Sequence, residues 1–142
     1  MVFGSREWVA ALVEALNRQP DLAAALRGLG RDAALIVEAQ RPAWPRTVAV
    51  YGHHEQGRVA AWRFLADEDE VLELEPAYVI RAPYGIVKEL FRGRGDPVQA
   101  ALSGRVRVEG DLEALVRRSS YRYVVDAALT AVDTTFPDEE VG

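Results

Sequence analysis

Cysteine is absent from this 142-residue chain. Its absence excludes disulfides, thiolate chemistry and zinc ribbons. Histidine is scarce: His53 and His54 are the only two, too few for a histidine-rich metal centre. Lysine occurs once, at Lys88, against sixteen arginines. No apolar run approaches the ~18 residues of a membrane span, so no integral membrane segment is expected. The opening MVFGSREW has neither the basic stretch nor the apolar core of a secretory leader, which points to a cytoplasmic protein.

What is present suits a globular domain. Apolar residues make up 49% and charged residues 27%, enough for a core beneath an ordinary soluble surface. The length is that of a single domain over residues 1–142. Net charge is −5, and the arginines run from Arg6 to Arg122 among interleaved acids. A nucleic-acid module is basic and gathers its cations on one face, so no nucleic-acid partner is expected. The run Asp67-Glu68-Asp69-Glu70 reads as a solvated turn; it lacks the glycine and the alternate spacing of a calcium loop.

Ser5 can cap a first helix, on which Trp8, Leu12, Ala15 and Leu16 recur at helical spacing. Pro20 and Asp21 open a second, over 22–29, ended by Gly30. Strands are expected at 33–39, 47–52 and 58–66, with Pro42 and Pro45 interrupting after the first. His53-His54-Glu55-Gln56-Gly57 reads as the hairpin link between the second and third. Alternation on the third places Ala60, Trp62 and Phe64 on one face and Arg63 on the other. Residues 71–75 alternate leucine with glutamate and read as a ragged strand; AYVIRA, 77–82, is a fourth clear one. The period then turns helical over 84–92, grouping Ile86, Val87, Leu90 and Phe91, with Gly93 as the stop. Asp96 caps a short helix at 97–102 with Pro97 in its first position. RVRVE, 105–109, is the fifth strand. Gly110-Asp111 leads into a helix over 112–118, and a last helix spans 120–132. Short links imply antiparallel pairs, and the fifth strand, returning after two helices, is free to lie parallel to the fourth as a right-handed crossover. The fold class is α+β: one five-stranded mixed sheet with helices mainly on one face.

Nothing in this pattern marks a catalytic centre. Adjacent histidines on a strand point to opposite faces and do not readily share a metal, and in a hairpin they are exposed. Ser119-Ser120 lacks a nucleophile elbow. Gly93-Arg94-Gly95-Asp96 follows a helix rather than a strand, so it reads as a helix stop and cap rather than a phosphate loop. No carboxylate spacing picks out an acid–base pair. No catalytic residue, metal or cofactor is assigned, and the chain is expected not to be an enzyme.

The last helix is more informative. Its polar residues Arg122, Asp126 and Thr130 form one narrow stripe. Tyr121, Tyr123, Val124, Val125, Ala127, Ala128, Leu129, Ala131 and Val132 fill most of the remaining circumference, more than a surface helix shows. Such a helix is expected to bury two sides, one against the sheet and one against other helices, a second subunit or an apolar ligand. Val125, Ala128, Leu129 and Val132 form its continuous apolar stripe.

In the second half, Phe91-Arg92-Gly93 is followed by Asp96-Pro97, by Ala100-Ala101-Leu102-Ser103-Gly104, and by a strand that completes GRVRVEGD over 104–111. This segment, with the strand at 77–82, the helix around Ile86 to Phe91 and more loosely the opening Trp8-Leu12-Leu16-Asn17 helix, resembles the sterol carrier protein family of lipid-binding domains. The resemblance covers about 77–132; the Pro42–Pro45 insertion and the acidic run depart from it. It implies a five-stranded sheet covered by helices around a hydrophobic tunnel that binds sterols, fatty acids, acyl-CoA or phospholipids without catalysis. The expected tunnel wall is Trp62 and Phe64 from the third strand, Ile86, Leu90, Phe91 and Leu102 from the middle helices, and Val125, Ala128, Leu129 and Val132 from the last.

Three readings follow. The first is a non-catalytic carrier of a fatty acid, acyl-CoA or other lipid, each buried methylene contributing ~0.8 kcal/mol. The second is an interaction domain that forms a homodimer through the terminal helix, its tunnel filled by side chains. The third is a small enzyme using scattered carboxylates.

Overall fold

The computed structural model describes residues 1–117 and 120–139. The end of the expected 112–118 helix, Ser119, and the last residues of the acidic tail lie outside the described residues. Five strands, β1 (Asp32–Glu38), β2 (Val48–Glu55), β3 (Arg58–Leu65), β4 (Tyr78–Pro83) and β5 (Arg107–Glu109), form one sheet in the order β3-β2-β1-β4-β5. Helices are α1 (Arg6–Asn17), α2 (Leu22–Leu26), α3 (Glu68–Leu74), α4 (Tyr84–Phe91), α5 (Pro97–Leu102), α6 (Leu112–Arg117) and α7 (Ser120–Ala131). The class is the expected one, α+β on a five-stranded mixed sheet.

The strand directions correct one expectation. β5 pairs antiparallel with β4, and the parallel pair is β1 with β4. Two helices, α4 and α5, fill the β4–β5 connection and return the chain to the end of the sheet it left. The crossover is instead the long path from β1 through β2, β3 and α3.

Local chemistry explains the other differences. Residues 68–74 are a helix, not a ragged strand preceded by a turn. Asp67 accepts the Glu70 N–H (3.2 Å), and Glu68, Asp69 and Glu70 occupy the first turn, where the helix dipole favours carboxylates. α2 stops at Leu26 rather than 29, because Arg27 is extended and Gly28 takes a φ of +83°. β2 continues through both histidines. The hairpin turn is only Gln56-Gly57, both at positive φ, and a bulge separates His53 from His54. Both rings are half-buried rather than exposed.

The sheet divides the apolar side chains into two layers. Ala34, Ile36, Ala49, Leu65 and Val79 pack with Val71 of α3 on one face. On the other, Phe3, Trp8, Trp44, Tyr84, Ala128, Val132 and Phe136 form the main core, with α1 packed on α7. Trp44 stacks on Tyr84 with ring centroids 5.0 Å apart. Trp8 Nε1 donates to Thr134 Oγ1 at 2.8 Å. α7 buries one side, not two: Val124 and Ala128 are buried, while Tyr123 is 74% exposed and Ala127 and Ala131 face out with the polar stripe. Alanine adds little apolar area, so a helix apolar by composition need not be apolar in surface.

Candidate functional site

The face that carries the main core also carries an unbroken apolar row. Register places Phe64 of β3 beside Val50 of β2, Val50 beside Leu35 of β1, Leu35 beside Ile80 of β4, and Ile80 beside Val108 of β5. Directly paired residues share a face, so these five side chains cross the whole sheet on one side. Coverage of the row is uneven. Phe64 and Val50 pack against the core cluster. Leu35, in the middle strand, is 48% exposed, although its chain neighbours Ala34 and Ile36 on the other face are 0% and 2% exposed. Ile80 and Val108 are half-buried and belong to none of the core clusters among the described residues. Along this row the main cluster therefore covers Phe64 and Val50 and stops short of Leu35, Ile80 and Val108, although Val37 and Ala82, farther along β1 and β4 on the same face, are covered.

Five of the residues expected from sequence meet in one apolar layer: Trp62, Phe64, Ala128, Leu129 and Val132 all belong to or pack on the main cluster. Trp62 and Phe64 meet edge to face at 5.8 Å, and the Arg6 guanidinium lies over both rings at 5.7 and 5.5 Å. Phe91 stacks on Trp8 at 5.9 Å and keeps 36% exposure. With Leu129 and Val132 it lines a cleft of about 280 Å³ that Arg92, Thr134 and Phe136 complete. Ile86, Leu90 and Val125 are half-buried outside the core clusters, and Leu102, at the end of α5, is 61% exposed. Sequence reasoning missed Leu35, Ile80 and Val108. Alternation in DAALIVE, YVIRAP and RVE carried the face they lie on, but not that the main cluster stops short of them.

Tyr84 donates its hydroxyl to Asp138 at 2.6 Å; burial, then the Asp138 hydrogen bond, raises its pKa far above the usual tyrosine value. Among the described residues, no group of three or more His, Asp or Glu side chains is placed to hold a metal ion. None of the described helices is long and apolar enough to cross a membrane. A larger cleft than the one at Phe91 lies elsewhere, at the β2–β3 hairpin, and none of the expected wall residues lines it.

No protein-family model matches the sequence, and no curated protein matches it significantly. Solved structures do match in shape. A crystal structure of sterol carrier protein 2 superposes with a TM-score of 0.73 at 22% identity, covering 91% of this chain and 98% of the other. A Thermus thermophilus protein described as possibly a sterol carrier protein gives 0.72 at 22% identity, with 91% and 89% coverage. The sterol carrier protein domain 2 of Helicoverpa armigera gives 0.60 at 12% identity, with 84% and 86% coverage. At these identities the likeness is one of architecture, and over nearly its whole length the chain has the sterol carrier protein fold.

Proposed function

We propose that the chain binds and carries an apolar ligand, a fatty acid, acyl-CoA or other lipid, on the helix-covered face of its sheet, without chemistry on it. The observation that carries this reading is Leu35. A leucine at the centre of a middle strand, on the sheet face that carries the main core, is where a filled core buries most completely, yet it is 48% exposed. Leaving it so forgoes roughly 1 kcal/mol of burial, which an alkyl chain lying along Leu35, Ile80 and Val108 would recover. In this reading Trp62 and Phe64 form the inner wall beside Ala128, Leu129 and Val132. Ile86, Leu90 and Val125 line the flank, and the exposed Phe91 and Leu102 stand at the mouth. The fold neighbours described as sterol carrier proteins support the same ligand class. The row itself, Phe64, Val50, Leu35, Ile80 and Val108, is apolar throughout, so binding rests on apolar contact.

Mass spectrometry of organic extracts from the purified protein, with titration of a fluorescent fatty-acid probe, tests it. Bound lipid or saturable probe binding is expected. Leu35→Arg should weaken the probe tenfold or more with an unchanged circular dichroism spectrum. Ile36→Arg, on the closed face at 2% exposure, should unfold the protein. A parent protein that yields no lipid and binds no apolar probe would overturn the reading.

A further inference from the structure

A cleft of about 920 Å³ opens between the loop after α2 and the β2–β3 hairpin. It is preformed. Asn17 on α1 grips the hairpin from both sides of one residue, donating from Nδ2 to the Val59 carbonyl (3.1 Å) and accepting the Val59 N–H at Oδ1 (2.8 Å). Gly57, at φ +78°, passes so close to α2 that a Cβ there would lie 2.5 Å from Ala23 Cβ. The His54 N–H donates to the Arg31 carbonyl (3.0 Å), and His54 Nε2 lies 2.6 Å from the Gly30 carbonyl. A carbonyl only accepts, so Nε2 carries the proton in that contact. Hairpin and loop are thus tied together at the base of the cleft.

The charges in the cleft are unequally committed. Asp32 accepts one hydrogen bond on each carboxylate oxygen, from the Tyr51 hydroxyl at 2.7 Å and the Ala77 N–H at 2.8 Å. Glu55 lies 3.7 Å from His53 Nε2 and stands opposite Arg58 across the hairpin. Arg27 and Arg31, both exposed on the loop wall, have no ion-pair partner among the described residues, whereas Arg18, Arg63, Arg81 and Arg92 each hold a carboxylate. Both arginines line the cleft, and a guanidinium fork can grip the oxygens of a phosphate bidentately. The volume exceeds what inorganic phosphate fills and leaves room for a sugar-sized body beside the Tyr51 and His53 rings, 6.5 Å apart.

We propose that this cleft is a second binding site, separate from the apolar row, that takes a small phosphate monoester through Arg27 and Arg31. Tyr51, Asp32 and His53 lie with Ala34 and Ile36 toward the opposite face of the sheet from Leu35, so the two sites do not share a wall. Calorimetric titration of the full chain with glucose phosphate should show one saturable site. The affinity should fall at least tenfold in the Arg27→Ala/Arg31→Ala double variant and with added salt. It should be unchanged in Arg41→Ala/Arg46→Ala, which removes two exposed arginines elsewhere; circular dichroism checks folding. Flotation with phosphatidic acid vesicles separates the sources of the monoester: vesicle binding lost in the first double variant assigns it to a lipid headgroup, and glucose phosphate binding alone to a soluble ester. Binding to neither, or equal binding in both double variants, would overturn the proposal.

Discussion

Gly110 shows how a short motif is written by close contact. Its φ is +126°, and a Cβ there would lie 2.6 Å from the Ala77 carbonyl oxygen and from the Tyr78 ring. β5 leaves the sheet against the start of β4, and only glycine fits that approach. The aspartate after it accepts the Ala114 N–H at 3.0 Å and caps α6, so the paired Gly-Asp that ends GRVRVEGD joins a steric requirement to a helix start. Gly110→Ala should lower stability by roughly 1–3 kcal/mol, read from the urea midpoint, and Asp111→Ala by about 1 kcal/mol. At this scale part of the apolar layer around the candidate site was legible. Alternation in RVAAWRFL placed Trp62 and Phe64 together, and helical spacing grouped Ala128, Leu129 and Val132. The exposure of Leu35 was not legible, because its neighbours in the sequence are equally apolar. What distinguishes Leu35 is that the main cluster stops short of it and leaves it 48% exposed, which no local pattern records.

The elements show where periodicity misleads. In EDEVLELE the alternation of leucine and glutamate imitates a strand, yet Val71 and Leu74, three residues apart, pack on the sheet while Leu72 is 75% exposed. The deciding signal was the cap: Asp67 holds the Glu70 N–H, and Glu70 reaches back to accept the Ala66 N–H at 2.8 Å. That hydrogen bond, then the one from Arg63, holds the Glu70 carboxyl below its ordinary range. Asp67→Ala should destabilise by about 1 kcal/mol, measured by chemical denaturation. α7 gives the converse lesson. Ala128 is 0% exposed inside the aromatic cluster, so Ala128→Trp should overpack and cost ~1–3 kcal/mol. Tyr123→Ala on the outer side should stay within about 0.5 kcal/mol of the parent. The same pair separates a surface contact from a core position, since a stable dimer through the outer face would make Tyr123 the sensitive residue.

At the scale of the molecule, the two ends of the chain close on one another. Val2 and Thr135 form a parallel bridge, in which the Phe3 N–H donates to the Thr135 carbonyl at 2.9 Å and the Thr135 N–H to that of Met1 at 2.8 Å. This long-range pairing, like the parallel β1–β4 pair, left no mark in the sequence because neither depends on neighbouring residues. The segment that follows lies over α4. Lys88, the sole lysine, sits 2.8 Å from Asp138 and 3.3 Å from Glu139; Arg92 pairs with Glu139; and Tyr84 donates to Asp138. The hydrogen bond from Lys88, then that from Tyr84, holds the Asp138 carboxyl below its usual 3.8, and Tyr84 is raised above its usual 10.0. The signs differ for the two groups. A depressed carboxyl contributes stability that is complete above the unfolded value of 3.8 and is lost as pH falls through the lower folded value. A raised tyrosine contributes stability that is complete below 10.0 and is lost as pH climbs beyond it toward the folded value. The melting temperature contributed by this cluster should therefore be flat between these limits and fall on both sides. Asp138→Asn removes the ionised partner of Lys88, so its deficit against the parent should be constant on the plateau and vanish as acid protonates the parent's carboxyl. Tyr84→Phe should flatten the alkaline limb instead. Melting curves of the three proteins across the pH range check both limbs, and an acid limb that survives unchanged in Asp138→Asn would show that other carboxylates, not this clasp, set the acid stability of the fold.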